Sequence, residues 1–228
     1  MPDIADVVFM LDVDNTLLDN DHVHNDLDTF IAREFGDATR ARYWEIIETL
    51  RTELGYVDYF GALQRYRCEE ARSHRFDIRL SSIAGFLLDY PFAARLYPGA
   101  LDAIAYLQTL GPTIILSDGD IVFQPRKVHR AGLWQAVDGR VLIYIHKEQA
   151  LDDLELRYPA RHYVMVDDKL AILTAMKNNL GEGLTTVFAR QGHYAFDPHN
   201  LSTFPPADVA IEHIGDLINH DFHLQKMT

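Results

Sequence analysis

Residues 7–20 read Val-Val-Phe-Met-Leu-Asp-Val-Asp-Asn-Thr-Leu-Leu-Asp-Asn, and this stretch decides the fold. Its apolar run, residues 7–11, predicts a buried strand that leads into two carboxylates, Asp12 and Asp14. Acids at the end of a buried strand are costly unless a cation or a reaction requires them there. One carboxylate of such a pair can attack a substrate while the other transfers protons, and together they can hold a hard cation through oxygen atoms.

Strand and helix patterns alternate along the second half of the chain. Helical patterns separate five short apolar runs, which predict strands at residues 113–116, 141–145, 163–166, 184–189 and 209–211. This alternation implies right-handed crossovers and an α/β fold, a Rossmann-like parallel sheet core flanked by helices. A sheet of this kind binds its ligand outside the carboxyl ends of the strands.

Side chains that can do chemistry follow four of the predicted strands. They are Asp12 with Asp14, Ser117, Lys147, and Asp167 with Asp168. Because the carboxyl ends of parallel strands meet at one edge of a sheet, we expect these side chains to lie close together. Phosphoryl transfer needs such a set: a nucleophile, a cation that offsets charge, and donors around the phosphoryl oxygens.

The block from residue 20 to residue 95 has no strand pattern. Its apolar residues instead predict helices over residues 27–35, 43–54, 59–73 and 83–89, with Gly36 and Gly55 as helix ends. Because the block interrupts the sheet after its first strand, it is predicted to form an all-helical cap domain above the same sheet edge. The predicted domains are residues 1–19 with 96–228 for the core, and residues 20–95 for the cap.

Composition narrows the class of protein. The chain has 228 residues with 48% hydrophobic and 24% charged residues, which is ordinary for a globular protein. No apolar run is long enough to cross a bilayer, so we expect no membrane partner. The N-terminus does not resemble a signal peptide and Cys68 is the only cysteine, so we expect a cytoplasmic location. The net charge of −13 argues against a nucleic acid polymer as partner. His22 and His24 are interpreted as loop surface.

The chain resembles the haloacid dehalogenase superfamily over nearly its whole length. The first signature of that superfamily, Asp-x-Asp-x-Thr after an apolar strand, is present as residues 12–16, and the second, a hydroxyl residue ending a strand, is present as Ser117. The third, a lysine, is best matched by Lys147, with Lys127 as a competitor. The fourth, an acidic pair ending a strand, is present as Asp167-Asp168. The four signatures occur in the expected order.

The resemblance implies a role for each residue. Asp12 is the expected nucleophile, and Asp14 the general acid and base, which also lends its backbone carbonyl to a Mg²⁺ ion. Asp12 and Asp167 are the expected side-chain metal ligands, and Asp168 is expected to be a direct or water-mediated ligand. Ser117 and Lys147, together with Asp118 and Gly119, are expected to bind the substrate. Dehalogenases of the superfamily lack an acid at the position of Asp14, whereas its phosphatases and phosphomutases have one.

The resemblance therefore predicts a Mg²⁺-dependent phosphatase that acts on a small phosphorylated metabolite through a phosphoaspartate. Two alternatives stay open: a phosphomutase of the same superfamily, and a non-catalytic binding or regulatory domain that keeps the fold. A calcium-binding loop does not fit, because its sixth and twelfth positions would hold Leu17 and Val23. A receiver domain does not fit either, because its phosphoaccepting acid follows a middle strand.

Several surface residues have two interpretations. The predicted cap has nine arginines between Arg33 and Arg79 and no lysine, so some can face the cleft, although solvated helix faces paired with acids are the commoner arrangement. Arg190 and His193 follow a predicted strand and can border the cleft. Asp167 and Asp168 can also serve as a helix N-cap before Lys169. The oligomeric state and the identity of the metabolite are not readable from the sequence.

Overall fold

The computed structural model describes residues 4–72 and 77–222, and its centre is a parallel sheet of six strands. The strands are β1 (Ala5–Leu11), β2 (Thr113–Asp118), β3 (Val141–Tyr144), β4 (Ala160–Asp167), β5 (Leu184–Ala189) and β6 (Val209–Ile211). Their order across the sheet is β3-β2-β1-β4-β5-β6. The predicted Rossmann-like α/β fold is confirmed.

Both faces of the sheet are buried, as the continuous apolar strands predict. Along β1, Phe9 and Leu11 belong to one hydrophobic cluster and Val8 and Met10 to the other, because successive side chains of a strand point to opposite faces. Leu11 is paired in register with Ile115 of β2 and Val166 of β4, so β1 is covered on both sides as well as on both faces.

Most of the helices occupy the places that the periodicity predicts. The helices are α1 (Asn20–Phe35), α2 (Asp37–Leu54), α3 (Tyr59–Arg72), α4 (Ser81–Asp89), α5 (Ala100–Leu110), α6 (Phe123–Arg130), α7 (Leu133–Ala136), α8 (Leu151–Arg157), α9 (Leu170–Leu180), α10 (Gly192–Phe196) and α11 (Pro198–Thr203). Short 3₁₀ segments lie at Ile78–Leu80, Phe92–Arg95, Lys147–Gln149, Gly181–Gly183 and Ile214–Asn219.

Helices α1 to α4 occupy the interval between β1 and α5. Within residues 20–72 and 77–95 no strand is present. α2 ends at Gly55, whose φ of 82° is a left-handed conformation that glycine adopts without strain. Buried residues of these helices, such as Leu27 and Tyr43, belong to the same hydrophobic cluster as Phe9 of the sheet. The division into core and cap at residues 19/20 and 95/96 stays a prediction.

The structure differs from the predicted pattern in a few places. β2 continues two residues past Leu116, because Ser117 and Asp118 pair with Ile143 and Tyr144 of β3. Ser73, the predicted end of the third helix, lies outside the described residues. The sequence pattern did not predict α7, α10 and α11, which have four, five and six residues and are too short to show helical periodicity.

No helix in the described part of the chain combines the length and apolarity that a bilayer-spanning segment requires.

Candidate active site

The carboxyl ends of three neighbouring strands bring the predicted residues together. Asp12 directly follows β1, Ser117 and Asp118 end β2, and Asp167 ends β4 and is followed by Asp168. β1 and β4 are neighbours in the sheet although β2 and β3 lie between them in the chain, so Asp12 and Asp167 lie where the winding direction reverses. The crevice at such a point is where open α/β sheets bind ligands.

Lys147 lies between two of these carboxylates. Its ammonium nitrogen is 2.6 Å from Asp12 Oδ1 and 2.6 Å from Asp167 Oδ2, and it donates to the carbonyl oxygen of Leu116 at 3.3 Å. The backbone N–H of Lys147 donates to Asp118 Oδ1 at 2.7 Å. The lysine is 2% exposed, so its charge is held in place by the carboxylates and shielded from water.

Asp12, Asp167 and Asp168 form a buried group that we call the acid cluster. One carboxylate oxygen from each lies within 4.8 Å of the others. Asp12 Oδ2 and both oxygens of Asp168 have no hydrogen-bond partner among the described residues. Buried carboxylate oxygens without donors cost free energy, and a divalent cation would satisfy them. Because the ligand atoms are all carboxylate oxygens, the cluster fits a hard cation such as Mg²⁺.

The charges of the cluster set its protonation. Burial alone would raise the pKa of Asp12, but Lys147 and Lys169 hold it below its ordinary value. Burial raises the pKa of Asp167, and raises that of Asp168 much further. The carboxylates outweigh burial at Lys147, whose pKa lies above its ordinary value. Asp12 is therefore ionised at neutral pH and faces a protonated lysine.

Asp14 points to a separate set of partners. The ammonium of Lys127, a residue of α6 that is 2% exposed, is 2.6 Å from Asp14 Oδ1. The same ammonium donates to Asn20 Oδ1 at 3.0 Å. Lys147 thus contacts Asp12 and Lys127 contacts Asp14, so both lysines considered for the third signature belong to the site, on different carboxylates.

A hydrogen-bonded chain joins the two acids of the first signature. Gln124, one turn before Lys127 on α6, donates to Asp14 Oδ2 at 3.3 Å and to Ser117 Oγ at 3.0 Å. Ser117 in turn donates to Asp12 Oδ1 at 3.2 Å. The hydroxyl of Ser117 is therefore fixed between Asp12 and the amide of Gln124, which orients it toward the site.

Asn15 explains how the chain turns from β1 into α1. Its φ of 60° is a left-handed conformation, which asparagine tolerates better than most residues. Its Oδ1 accepts from the backbone N–H groups of Asn20 and Asp21 at 3.0 and 3.2 Å, so it caps the start of α1. Gly192 packs against it so closely that an added Cβ would lie 2.4 Å from the Asn15 side chain.

A cavity of about 770 Å³ opens above Asp14. Its floor includes Asp118, Gly119 and Gln124, and its walls come from α1, α2, the segment that joins α2 to α3, and α10. Helices α1 and α10 are linked by Asp21, whose carboxylate accepts from the His193 backbone N–H at 2.8 Å and lies 2.6 Å from His193 Nδ1. The predicted substrate-binding residues Asp118 and Gly119 therefore border a space that can hold a ligand.

Three interpretations of the sequence need correction. His22 and His24 lie on α1 and not in a loop, and His24 borders the cavity. Asp168 does not cap α9, because its oxygens accept no hydrogen bond from any described residue; the backbone N–H of Lys169 instead donates to Asp167 Oδ1 at 2.8 Å. Arg190 pairs with Glu212 and does not border the cavity.

Other residues of the site were not predicted. Gln124 and Lys169 were missed, although each carries a signal in the sequence. Gln124 and Lys127 stand at positions i and i+3 of a helix that follows a functional strand end, so they share a face. Lys169 directly follows the acidic pair. Of the cap arginines whose side chains the structure describes, Arg51 alone borders the cavity.

Comparisons with known proteins agree with this geometry. The family model of haloacid dehalogenase-like hydrolases matches residues 7–179. A haloacid dehalogenase-like hydrolase from Burkholderia xenovorans LB400 is 64% identical, with a TM-score of 0.91 over 96% of this chain and 98% of that chain. No curated protein shows significant similarity to the sequence.

Two more distant structures share the fold. L-2-haloacid dehalogenase from Xanthobacter autotrophicus is 17% identical, with a TM-score of 0.60 over 99% of this chain and 100% of that chain. The HAD-hydrolase YfnB from Bacillus subtilis, solved bound to magnesium, is 14% identical, with a TM-score of 0.61 over 94% of this chain and 98% of that chain. The family model spans most of the chain, and the acids of β1 and β4 meet at one edge of the sheet. The chain therefore belongs to the haloacid dehalogenase-like hydrolases.

Proposed function

We propose that the protein is a Mg²⁺-dependent phosphatase that hydrolyses a small phosphomonoester through a phosphoaspartate at Asp12. The observation that carries the proposal is the acid cluster beside a second, independently held acid, Asp14. Asp12 is buried, ionised and paired with Lys147 at 2.6 Å, which fits a carboxylate nucleophile held in one orientation.

In the first step, an oxygen of Asp12 attacks phosphorus while the bond from phosphorus to the leaving-group oxygen breaks. Asp14 gives its proton to that oxygen. Lys147 and the hydroxyl of Ser117 stabilise the charge on the transferred phosphoryl group, since both lie within hydrogen-bond distance of Asp12. In the second step, water attacks the acyl phosphate, Asp14 takes its proton, and phosphate and the Asp12 carboxylate are released.

Asp12, Asp167 and Asp168 would hold the cation, with the backbone carbonyl of Asp14 as a further ligand that the family resemblance implies. When bound, Mg²⁺ supplies positive charge that offsets the repulsion between the carboxylates and the phosphoryl oxygens. The three carboxylates with Lys147 and Lys169 carry a net charge of about −1 when all are ionised, so a divalent cation suits the site electrostatically. YfnB, which has the same fold, binds magnesium.

The acid at position 14 favours a phosphatase over a dehalogenase. The family resemblance places an acid there in phosphatases and phosphomutases and not in dehalogenases. In this chain Asp14 is held by Lys127 at 2.6 Å and by Gln124 at 3.3 Å. A leaving halide needs no proton, whereas a leaving alkoxide does, so the proton-donating role of a carboxyl group held at this place is needed only with an oxygen leaving group.

A metal dependence tests the proposed function directly. We expect the protein to hydrolyse p-nitrophenyl phosphate with Mg²⁺ and to lose at least about 100-fold in rate with EDTA, because the cation offsets charge in the transition state. Liberated p-nitrophenolate is the measurement, and restoration by added Mg²⁺ is the control against unfolding. Activity that ignores EDTA, or release of chloride from 2-chloropropionate without phosphatase activity, would contradict the proposal.

The role of Asp14 predicts a different kinetic signature. Asp14→Asn is expected to release a burst of about one p-nitrophenolate per active site and then turn over roughly 10²–10⁴-fold more slowly than wild type. p-Nitrophenolate leaves without a proton, so the first step survives, but water attack on the phosphoaspartate lacks its base. Stopped-flow absorbance measures the burst.

The matched control is Asp19→Asn, which changes a nearby acid whose side chain caps α1 and does not line the cavity. A variant of Asp14 without a burst and with unchanged steady-state rate would show that this carboxylate takes no part in the second step. A burst in the wild-type protein, with phosphate slowly returned to an added sugar and not to water, would instead favour the phosphomutase alternative.

A further inference from the structure

The cavity above Asp14 is much larger than a phosphoryl group requires. Its volume of about 770 Å³ lies within the range of roughly 300–1,000 Å³ that is typical of sites for drug-sized ligands. The phosphoryl group belongs at the acid cluster, and Asp14, as the expected proton donor, belongs beside the leaving-group oxygen. The space that extends from Asp14 between α1 and α2 is therefore where the leaving group lies.

A row of four rings runs along that space. It starts at Phe123, whose ring centre is 4.9 Å from the Lys127 ammonium that holds Asp14. Phe123 packs edge-to-face against Tyr59 at 5.1 Å, and Tyr59 packs against Trp44 at 6.5 Å. The imidazole of His24 stacks on Trp44 at 4.1 Å. All four rings border the cavity, so a leaving group that points away from Asp14 passes along an aromatic wall.

The orientation of this wall is fixed by hydrogen bonds outside the cavity. The indole N–H of Trp44 donates to Asp28 Oδ1 at 2.8 Å, and the hydroxyl of Tyr43 donates to the backbone carbonyl of Tyr59 at 2.9 Å. Burial lowers the pKa of His24, so its ring is uncharged at neutral pH. Preorganised rings lose little conformational entropy when a flat ligand stacks on them.

The charges around the cavity disfavour a second anionic group on the substrate. Five carboxylates border it, those of Asp14, Asp21, Glu48, Asp118 and Asp120, against two full cations, Arg51 and Lys169. Arg51 is already bound to the hydroxyl of Tyr194 and lies 3.8 Å from Glu48. Lys169 is next to Asp168 in the chain, and its ammonium lies over the ring of Tyr194, 5.1 Å from the ring centre. Both cations of the wall therefore already have partners among the described residues, and the carboxylates around the cavity outnumber them.

We infer that the substrate is a phosphomonoester of an uncharged alcohol that carries a planar aromatic ring, and that Trp44 and Tyr59 determine this specificity. The inference rests on the proposed phosphatase function and names the substrate class of that site. Two sources supply this chemistry, simple arylmethyl phosphates and nucleoside 5′-monophosphates. Both place a neutral ring at a distance from a primary phosphate ester.

Two matched pairs of substrates measure separately how an aromatic ring and a second negative charge on the substrate affect kcat/KM. A nucleoside 5′-monophosphate and ribose 5-phosphate share the same primary ester and differ by the base. Benzyl phosphate and 4-carboxybenzyl phosphate differ by one carboxylate. We expect kcat/KM to be at least about tenfold higher for the member of each pair that has the uncharged ring, since one stacked ring contributes an effect of this size. Comparing the nucleotide with benzyl phosphate distinguishes the two sources.

Replacing Trp44 tests the aromatic wall itself. Trp44→Ala is expected to lower kcat/KM for the ring-bearing substrate by about tenfold or more and to leave ribose 5-phosphate within about threefold of wild type. Trp44→Phe, which keeps a ring, should recover most of the difference. Trp134→Ala is the control, because Trp134 is half-exposed on α7 and does not border the cavity. Equal losses on both substrates would overturn the inference while leaving the phosphatase function intact.

A binding measurement keeps the inference testable without turnover. In Asp12→Asn combined with Trp134→Phe, Trp44 is the only tryptophan, because the chain has two. We expect benzyl phosphate, with Mg²⁺ present, to quench its fluorescence in a saturable way, and inorganic phosphate to leave it unchanged. No quenching, or a preference for ribose 5-phosphate, overturns the inference. If benzyl phosphate quenches the fluorescence of this variant but the wild-type protein hydrolyses none of the four esters, the phosphatase function is contradicted. The inference that the cavity binds an aromatic ring is then still supported.

Discussion

Replacing Asp12 with asparagine is expected to lower kcat for p-nitrophenyl phosphate by on the order of 10⁴-fold, because an amide oxygen cannot form the acyl phosphate. Asparagine has nearly the same shape and can still accept from Lys147 and Ser117, so the fold should be kept. The second measurement is covalent: wild-type protein quenched in acid during turnover should carry one phosphoryl group, found by mass spectrometry on the peptide that contains residue 12. The variant should carry none.

Asp138→Asn is the matched control for this result. Asp138 is an exposed acid with a left-handed φ of 51°, a conformation that asparagine also tolerates, and it contacts Arg140 at the surface. Its variant should keep wild-type activity. An Asp12→Asn protein that retains more than about a tenth of the wild-type rate would mean that another group attacks phosphorus.

The strand ends were predictable because two simple rules combine. An apolar run identifies each strand locally, and parallel topology brings their carboxyl ends to one edge. Asp12, Ser117 and Asp167 were placed this way, and the structure brings them together. The end of β2 was placed two residues early, because the pairing of Ser117 and Asp118 with β3 is a long-range contact that no local pattern contains.

The partners of Asp14 were harder to predict. Lys127 and Gln124 reach it from α6, more than a hundred positions along the chain. Their direction depends on how α6 packs against α4 and the 3₁₀ segment Phe92–Arg95, and the sequence shows only that they share a helix face. Lys127 was considered only as a rival of Lys147, whereas each lysine holds a different acid.

The cavity wall could not be derived from periodicity at all. The helical pattern of α2 correctly placed its buried side, with Tyr43, Ile46 and Ile47. It could not say that the neighbouring Trp44 faces the sheet edge, since this depends on how the helices turn relative to β1. Asn15 contributes to that turn by capping α1, but its effect on the direction of α2 is a tertiary property.

Asp168→Asn is expected to change stability and metal binding in opposite directions. Both oxygens of Asp168 are buried without a hydrogen-bond partner in the described structure, so the ionised carboxylate is costly when no cation offsets it. In EDTA the variant should be more stable than wild type by about 1–3 kcal/mol. For a chain of this length each kcal/mol raises Tm by roughly 2–4 °C. With Mg²⁺, wild type should gain stability and the variant should not.

The pH dependence of this stability difference follows from the raised pKa of Asp168, which burial causes. An acid whose pKa is higher in the folded state favours folding when it is protonated, and that contribution is lost as the pH rises through the folded-state value. The advantage of Asp168→Asn in EDTA should therefore be small near pH 4, the ordinary pKa of the unfolded carboxyl, and should grow as the pH rises toward neutrality.

Thermal unfolding with EDTA and with Mg²⁺ measures both effects, and phosphatase assays should show a loss of roughly 10³-fold in the variant, because the cation is bound less well. Asp152→Asn, which changes an exposed acid in the first turn of α8, is the control and should follow wild type in every condition. A variant of Asp168 that is less stable than wild type in EDTA, or that still gains stability from Mg²⁺, would show that these oxygens serve a purpose other than holding a cation. If the variant is instead more stable than wild type in EDTA and gains nothing from Mg²⁺, the chain gives up folding free energy at Asp168 to keep a charge where the reaction needs a metal.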